Sequence, residues 1–268
     1  MSHGTAVFLF TSSLFLGMLL FLEIGRRLGL RRLQDDSSAA AEGIGAVDGA
    51  VFAVLGLLIA FTFSGATARF DARRQLIVEE TNNIGTAYLR LDVLPADLQP
   101  ALRESFRRYL DSRIETYRKI PDMTAVRESL ARGNELQREI WRQAVEAVQA
   151  DGAPPTAPML LLPALNAMID ITTTQVMAAQ MHPPIVIFAM LFGLALAASL
   201  LAGYGLAGSK LRRWFHMVGF ALVMAVAIYV ILDIEYPRLG LIRVDAFDQA
   251  LIDLRESMNR DIQPPGQK

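Results

Sequence analysis

Residues 44–66 read IGAVDGAVFAVLGLLIAFTFSGA, an apolar run in which Asp48 is the single charged side chain. A helix rises about 1.5 Å per residue, so a run of this length crosses the roughly 30 Å hydrocarbon layer of a bilayer. Three further runs of this kind cover approximately residues 5–24, 185–206 and 214–234. Because backbone amides in lipid must be hydrogen-bonded within the protein, long continuous apolar runs predict helices, whereas a barrel would show alternating strands. The sequence therefore predicts four transmembrane helices.

A segment of more than a hundred mostly polar residues separates the second run from the third. We therefore divide the chain into transmembrane helices 1 and 2 (1–66), an extramembrane helical domain (67–184), transmembrane helices 3 and 4 (185–235) and a C-terminal tail (236–268). The predicted fold class is an all-α membrane protein with a large helical insert between spans 2 and 3 and long helices that extend from the membrane.

Proline and glycine divide the insert into four predicted helices. The second span continues without proline to about Val93, which predicts one helix of about 50 residues. The other three are predicted at about 95–120, at 121–150 with Asp122 as the N-cap, and at 159–181. In the tail, the spacing of Phe247, Leu251 and Leu254 predicts a short amphipathic helix, and the sequence QPPG at 263–266 predicts disorder.

Composition excludes several classes of function. The 26 basic and 27 acidic side chains nearly cancel, which removes the basic excess that nucleic acid binding requires. The chain has no cysteine and three histidines, which are His3, His182 and His216, so we assign no metal and no cofactor. Glu79 and Glu80 are adjacent and point about 100° apart on a helix, so they cannot act as an acid and base pair. We expect no enzymatic activity.

Orientation follows from the basic residues in the short loops. The turns after the first and third spans hold seven of them, which are Arg26, Arg27, Arg31, Arg32, Lys210, Arg212 and Arg213, against five after the second and fourth spans. This difference predicts that both turns are cytoplasmic, with the insert and both termini outside a bacterial cytoplasmic (inner) membrane. No basic residue precedes the first run, so we expect it to be retained as a span rather than cleaved as a signal.

The second span carries a face of small residues, and the fourth span ends in acidic residues. Gly45, Gly49, Gly56 and Ala60 permit close approach of another helix, either from the same chain or from a second copy. Asp233 and Glu235 precede Pro237 and Arg238, a pattern that indicates a structural polar corner of salt bridges at the membrane interface.

Aromatic residues lie along the same second helix, and Ile59 comes four residues before Phe63. A narrow apolar ring made by one such helix from each subunit can gate ions by dewetting. Aromatic side chains of a span otherwise face lipid or neighbouring helices, and this alternative stays open. The candidate pore or gate residues are Phe63, Ile59 and Phe52.

Three stretches carry a resemblance to a known family. They are FTFS at 61–64, FDARRQLIVEETNNIGTAYLRL at 70–91 and DIEYPRLG at 233–240. In these stretches and in its layout the chain resembles the bestrophin-like family of four-span membrane proteins. Bestrophins are pentameric anion channels with a helical cytosolic domain and a pore neck lined by apolar and aromatic residues of the second span. The resemblance implies that Ile59 and Phe63 line such a neck. The acidic calcium clasp of bestrophins is not recognisable in this sequence.

The main hypothesis is a homo-oligomeric ion channel, possibly a pentamer, that conducts anions through a pore lined by the second helix. Its partners are further copies of the chain, membrane lipid and small inorganic ions. Arg69, Arg73 and Arg74 follow the second span and would attract ions if they face the axis. The alternative is a non-conducting sensor or scaffold that signals or binds partners through the insert. A transporter fits poorly, because the sequence shows no inverted repeat and no interrupted span.

Overall fold

A computed structural model describes residues 3–35, 44–208 and 214–260. Within these ranges every regular element is helical, namely α1 (His3–Asp35), α2 (Ile44–Leu89), α3 (Gln99–Arg118), α4 (Met123–Val148), α5 (Ala157–Gln180), α6 (Ile185–Gly205), α7 (Trp214–Glu235) and α8 (Asp245–Arg260), with 3₁₀ turns at Arg90–Val93 and Leu206–Gly208. Four helical stretches in the described part of the chain are long and apolar enough to cross a membrane. The all-α fold with four spans is therefore confirmed. Lys210, Arg212 and Arg213, which enter the charge count, and the QPPG segment at 263–266 lie outside the described residues.

The chain forms two compact units. The first comprises Met1–Phe70 and His182–Ile242, and the second comprises Asp71–Met181 and Arg243–Lys268. Helix α2 contributes its first part to the first unit and its remainder to the second.

In the first unit, α1 and α6 cross at very close range through glycine. A Cβ atom placed on Gly203 would lie 2.0 Å from the carbonyl oxygen of Leu22, and one on Gly25 would lie 1.9 Å from that of Leu200. No side chain fits at either position without moving a backbone. Small residues at a helix interface allow this approach, which compensates in lipid for the missing hydrophobic driving force.

Helix α2 packs against the same unit through large side chains instead. Leu55 is buried in a core that also contains Met18 and Leu22 of α1, Leu191 of α6 and Ile228 of α7. The small-residue face predicted from the sequence lies on α2, whereas the close crossing uses glycines of α1 and α6.

The second unit has its own apolar core, and its largest fully buried side chains include Phe106 and Tyr109 of α3, Ile140 of α4 and Leu161 and Leu165 of α5. The N-cap prediction is confirmed, because the Asp122 carboxylate accepts hydrogen bonds from the amides of Thr124 and Ala125 at 3.0 and 3.1 Å.

Two further elements of the second unit bear on the predictions. The predicted tail helix is confirmed as α8, in which Leu251 is fully buried. Helix α3 begins at Gln99, a few residues later than predicted, because residues 95–98 form a turn in which the Leu98 amide donates to the Pro95 carbonyl at 3.0 Å.

We expect Gly203→Ala to destabilise the protein, because the new methyl group meets the backbone of α1. Overpacking of this kind costs about 1–3 kcal/mol of the free energy of unfolding. Thermal unfolding in detergent, followed by circular dichroism, measures the change. Gly193→Ala in the same helix is the matched control, because its Cβ would meet nothing within 4 Å. Equal melting temperatures for the two variants would contradict the close crossing.

Candidate functional site

The apolar part of α2 is the least buried of the four spans. In the most apolar 18-residue segment of α2, 6% is buried inside the chain, against 28%, 22% and 39% in the corresponding segments of the other three spans. A Cβ on Gly45, Gly49 or Gly56 would meet nothing within 4 Å. The small-residue face of α2 therefore has no packing partner among the described residues of the chain, and this face is available to another molecule.

The three candidate pore residues lie close together around the axis of α2. At about 100° per residue, Phe52, Ile59 and Phe63 fall within an arc of about 40°. Phe63 is 44% exposed, whereas Phe52 and Ile59 are partly buried against the core of the unit. The ring of Phe52 meets that of Phe220 edge-on, with 6.1 Å between the centroids. The structure thus places Phe63 on the open side and the other two at its border.

A buried ion pair anchors the end of the apolar part of α2. The Arg69 guanidinium donates to both carboxylate oxygens of Glu235, with its Nε 3.0 Å from Oε1 and its Nη2 2.7 Å from Oε2. The Glu235 side chain has no exposed surface, and that of Arg69 is 30% exposed. Two-point contacts of this kind restrict both position and orientation. This contact therefore holds α2 to the last residue of α7.

His182 is a second partner of the Glu235 carboxylate. Its Nδ1 lies 3.0 Å from Oε1 of Glu235, and its ring stacks on that of Tyr236 with 4.6 Å between the centroids. His182 directly precedes the two prolines that lead into α6. The fully buried carboxylate therefore joins three separate parts of the first unit, which are α2, the entry to α6 and the end of α7.

The two carboxylates of the predicted polar corner, Asp233 and Glu235, have different contacts. Asp233 accepts hydrogen bonds from the amides of Leu241 and Ile242, the shortest being 2.7 Å. A Cβ on Gly240 would lie 2.0 Å from the Asp233 carboxylate, so the loop needs glycine there. Asp233 thus folds the loop that contains Arg238 back onto the end of α7, while Glu235 binds Arg69. The Arg69 and His182 partners of Glu235 were not predicted from the sequence.

Arg73 and Arg74, two of the three predicted ion-attracting residues, also make contacts within the second unit. Arg73 donates to the carbonyl oxygens of Ala178 and Met181 at 3.2 and 2.9 Å, where α5 ends. Arg74 forms a salt bridge with Asp71 at 3.0 Å, and its guanidinium lies 4.3 Å from the centre of the Phe247 ring. Both side chains therefore hold elements of the second unit together.

The rest of the FDARRQLIVEETNNIGTAYLRL stretch has a similar structural role. Asn83 and Arg90 donate to the carbonyl oxygens of Ala167 and Leu160 in α5. Intervals of seven, three and seven residues separate Arg73, Glu80, Asn83 and Arg90, which places all four on one face of the helix. That face is directed at α5. The motif therefore ties α2 to α5 over most of the length of α5.

A buried ion pair lies at the centre of this contact. Arg113 of α3 donates through Nε to the fully buried Glu80, and Gln175 of α5 donates to the same carboxylate at 2.8 Å. Tyr117 donates a further hydrogen bond to Glu80 at 2.6 Å. Burial by itself lowers the pKa of Arg113, but the charge of Glu80 outweighs it, so that the pKa lies above its ordinary value. Arg113 therefore keeps its charge throughout the physiological pH range.

The fold and these contacts define a class of protein: an all-α, four-span membrane protein whose second span is open along one face and anchored by a buried ion pair. The model of the Bestrophin-like domain matches residues 13–246, and the chain belongs to the Bestrophin-like family.

Two crystal structures of variants of a bacterial bestrophin homologue from Klebsiella pneumoniae have a similar fold. One has a TM-score of 0.69 at 15% sequence identity and covers 92% of this chain and 98% of the homologue. The other has a TM-score of 0.67 at 15% identity and covers 90% and 99%. None of the curated proteins matches the chain.

We expect Arg69→Gln to lower the free energy of unfolding by several kcal/mol. Removing one partner of a buried ion pair costs about 3–5 kcal/mol, because the remaining charge stays buried. The double variant Arg69→Gln with Glu235→Gln removes both charges and should recover part of the loss. Thermal unfolding in detergent measures all three proteins.

The matched control for this prediction is Arg142→Gln. Arg142 is also paired with carboxylates, at 2.7 and 2.9 Å, but its side chain is 58% exposed. Exposed ion pairs contribute about 0–1 kcal/mol. If Arg69→Gln costs no more than Arg142→Gln, the ion pair with Glu235 is not the anchor of α2.

Proposed function

We propose that the chain forms a homo-oligomeric ion channel in which one α2 helix from each copy lines the central path. The observation that supports this proposal is the open face of α2. The helix has an apolar stretch long enough to span a membrane, yet only 6% of it is buried within the chain. Its unpartnered glycines allow close approach of another copy. Copies that meet through this face would bring their α2 helices around one axis.

In this proposal Phe63, Ile59 and Phe52 form the constriction. The three side chains lie on one side of α2, so each copy would present one apolar surface to the path. A narrow apolar ring excludes water unless it widens. Phe63 is the most exposed of the three in the single chain. It is therefore the residue whose truncation should widen the path most.

The Arg69–Glu235 pair has a positioning role in the proposed channel. Rotation of α2 by one residue moves each side chain by about 100° around the helix axis, so the direction of Phe63 depends on a fixed orientation of the helix. The two-point contact between Arg69 and Glu235 supplies this constraint at the end of the span, six residues beyond Phe63.

Anion conduction is the part of the proposal that comes from the family resemblance, because bestrophins conduct anions. Arg69, Arg73 and Arg74 each bind protein groups, and the pairs with Glu235 and Asp71 cancel most of the charge of Arg69 and Arg74, so we propose that the three residues add only a weak positive potential near the path. Such a potential favours anions over cations and weakens with ionic strength.

A second candidate function is a non-conducting sensor or scaffold. The observation that favours it is the continuity of α2, which runs from the first unit into the second and is tied to α5 there by Arg73, Asn83 and Arg90. A continuous helix shared by both units would transmit a rearrangement of one unit to the other without any ion path.

Ion flux through liposomes that contain only the purified protein distinguishes the two functions. We expect chloride flux to exceed potassium flux and to exceed that of protein-free liposomes. Phe63→Ala should raise the chloride flux roughly three- to ten-fold, because truncating the ring widens an apolar constriction.

The matched control for flux is Phe61→Ala. Phe61 lies two residues away on the same helix and is 67% exposed, but it points about 200° away from Phe63. If both variants conduct like the unaltered protein, the assignment of Phe63 to the constriction is wrong. Absence of flux at every pH, calcium concentration and voltage, or a monomer in mild detergent, would favour the sensor or scaffold.

The predicted orientation is testable because the chain has no cysteine. A single cysteine at Asp151, in the exposed loop before α5, should react with a membrane-impermeant maleimide in spheroplasts if the insert lies outside. A cysteine at Gln34, near the end of α1, should react only after permeabilisation. The reverse pattern would place the insert in the cytoplasm.

A further inference from the structure

One end of the first unit carries exposed basic and aromatic side chains together. Here α1 and α6 end and α7 begins. Arg31 and Arg32 are exposed, Trp214 is 47% exposed and the neighbouring Phe215 is 87% exposed. Exposed aromatic residues at the end of a span are typical of the bilayer interface.

The four arginines at the end of α1 fall into two pairs. Arg26 and Arg27 both bind the carboxylate of Glu23, with nitrogen–oxygen distances of 2.9 Å. Arg32 instead donates to the hydroxyl group of Tyr204 at 2.9 Å, and this neutral partner leaves its charge uncompensated in that contact. In the part of the chain that the structure describes, Arg31 makes no hydrogen bond or ion pair. Among the described side chains, two of the four arginines are thus paired with an acid and two are not.

The spacing along α1 would put both side chains at headgroup depth. Arg31 follows Ile24, where the apolar run predicted from the sequence ends, by seven residues, which is about 10 Å along the helix. Side chains of a helix lean toward its N-terminus, so Arg31 and Arg32 lean back toward the bilayer. Long arginine side chains at a helix end reach the polar interface in this way.

The position of Arg32 is also fixed by the fold. Gly29 of α1 lies against the end of α6, because a Cβ there would be 2.8 Å from the carbonyl oxygen of Tyr204. This crossing brings Arg32 to the Tyr204 side chain. Over residues 23–35, where α1 ends, the chain carries four basic and two acidic side chains, so this end of α1 has a net positive charge.

We propose that Arg31 and Arg32 form a binding site for the phosphate group of an anionic phospholipid, beside Trp214. Guanidinium groups bind phosphate oxygens through two parallel hydrogen bonds, and a basic residue at the membrane surface favours anionic lipid by about 1 kcal/mol. The exposed aromatic rings contact the glycerol and upper acyl region of the same lipid. The site requires membrane insertion only and does not depend on ion conduction.

The two tryptophans of the chain, Trp141 and Trp214, provide a direct test. Trp214 lies at the proposed site and Trp141 lies in α4 of the second unit, where it gives a constant background. The full-length protein is reconstituted in phosphatidylcholine vesicles that contain either brominated phosphatidylglycerol or brominated phosphatidylcholine. Quenching of the Trp214 fluorescence then reports which lipid occupies the site.

We expect phosphatidylglycerol to be preferred about five-fold in the unaltered protein. Arg31→Gln with Arg32→Gln should remove this preference, whereas Arg26→Gln with Arg27→Gln, which removes the same formal charge, should retain it. Equal quenching by both lipids in the unaltered protein, or an equal effect of the two double variants, would overturn the site. Loss of the preference on addition of millimolar inorganic phosphate would assign the arginines to a free anion and would also overturn it.

Discussion

Glu235 has no exposed surface, so its charge must be balanced by groups of the protein itself. Arg69 provides this balance through both carboxylate oxygens, and His182 adds a third contact. The contact matters because α2 is otherwise held in the first unit by few buried residues of its apolar part. Leu55 and its partly buried neighbours hold one side of this stretch, and the Arg69–Glu235 contact fixes its end. The buried ion pair therefore helps to decide which face of α2 is presented outward.

The two units use different means to hold their helices together. In the first unit α1 and α6 approach until their backbones touch at Gly25 and Gly203, which leaves α2 as the loosely packed span. In the second unit α2 is tied to α5 and α3 by hydrogen bonds and by the buried pair of Glu80 and Arg113. The same helix is thus firmly held in one unit and open along one face in the other. An open, apolar helix whose orientation is fixed is suited to line a path shared by several copies.

The fold was predictable from the sequence because its signals are local. Long apolar runs gave the four spans, and proline, glycine and the Asp122 cap gave the helices of the second unit to within a few residues. The contacts of Glu235 were not predictable, because Arg69 lies 166 residues away in sequence and no local pattern joins them. The close crossing at Gly25 and Gly203 was missed for the same reason. The sequence marks the two partners of Glu235 only indirectly. His182 precedes two prolines, and Arg69 lies at the end of an apolar span.

In the proposed channel the anchored α2 helix turns the side chain of Phe63 toward a path shared by several copies. Cryo-electron microscopy of the protein in lipid nanodiscs would show directly where this side chain points. We predict a closed ring of copies with their α2 helices around the axis, Arg69 in contact with Glu235, and Phe63 at the narrowest point. An assembly in which α2 faces lipid, or a single copy in the nanodisc, would contradict it.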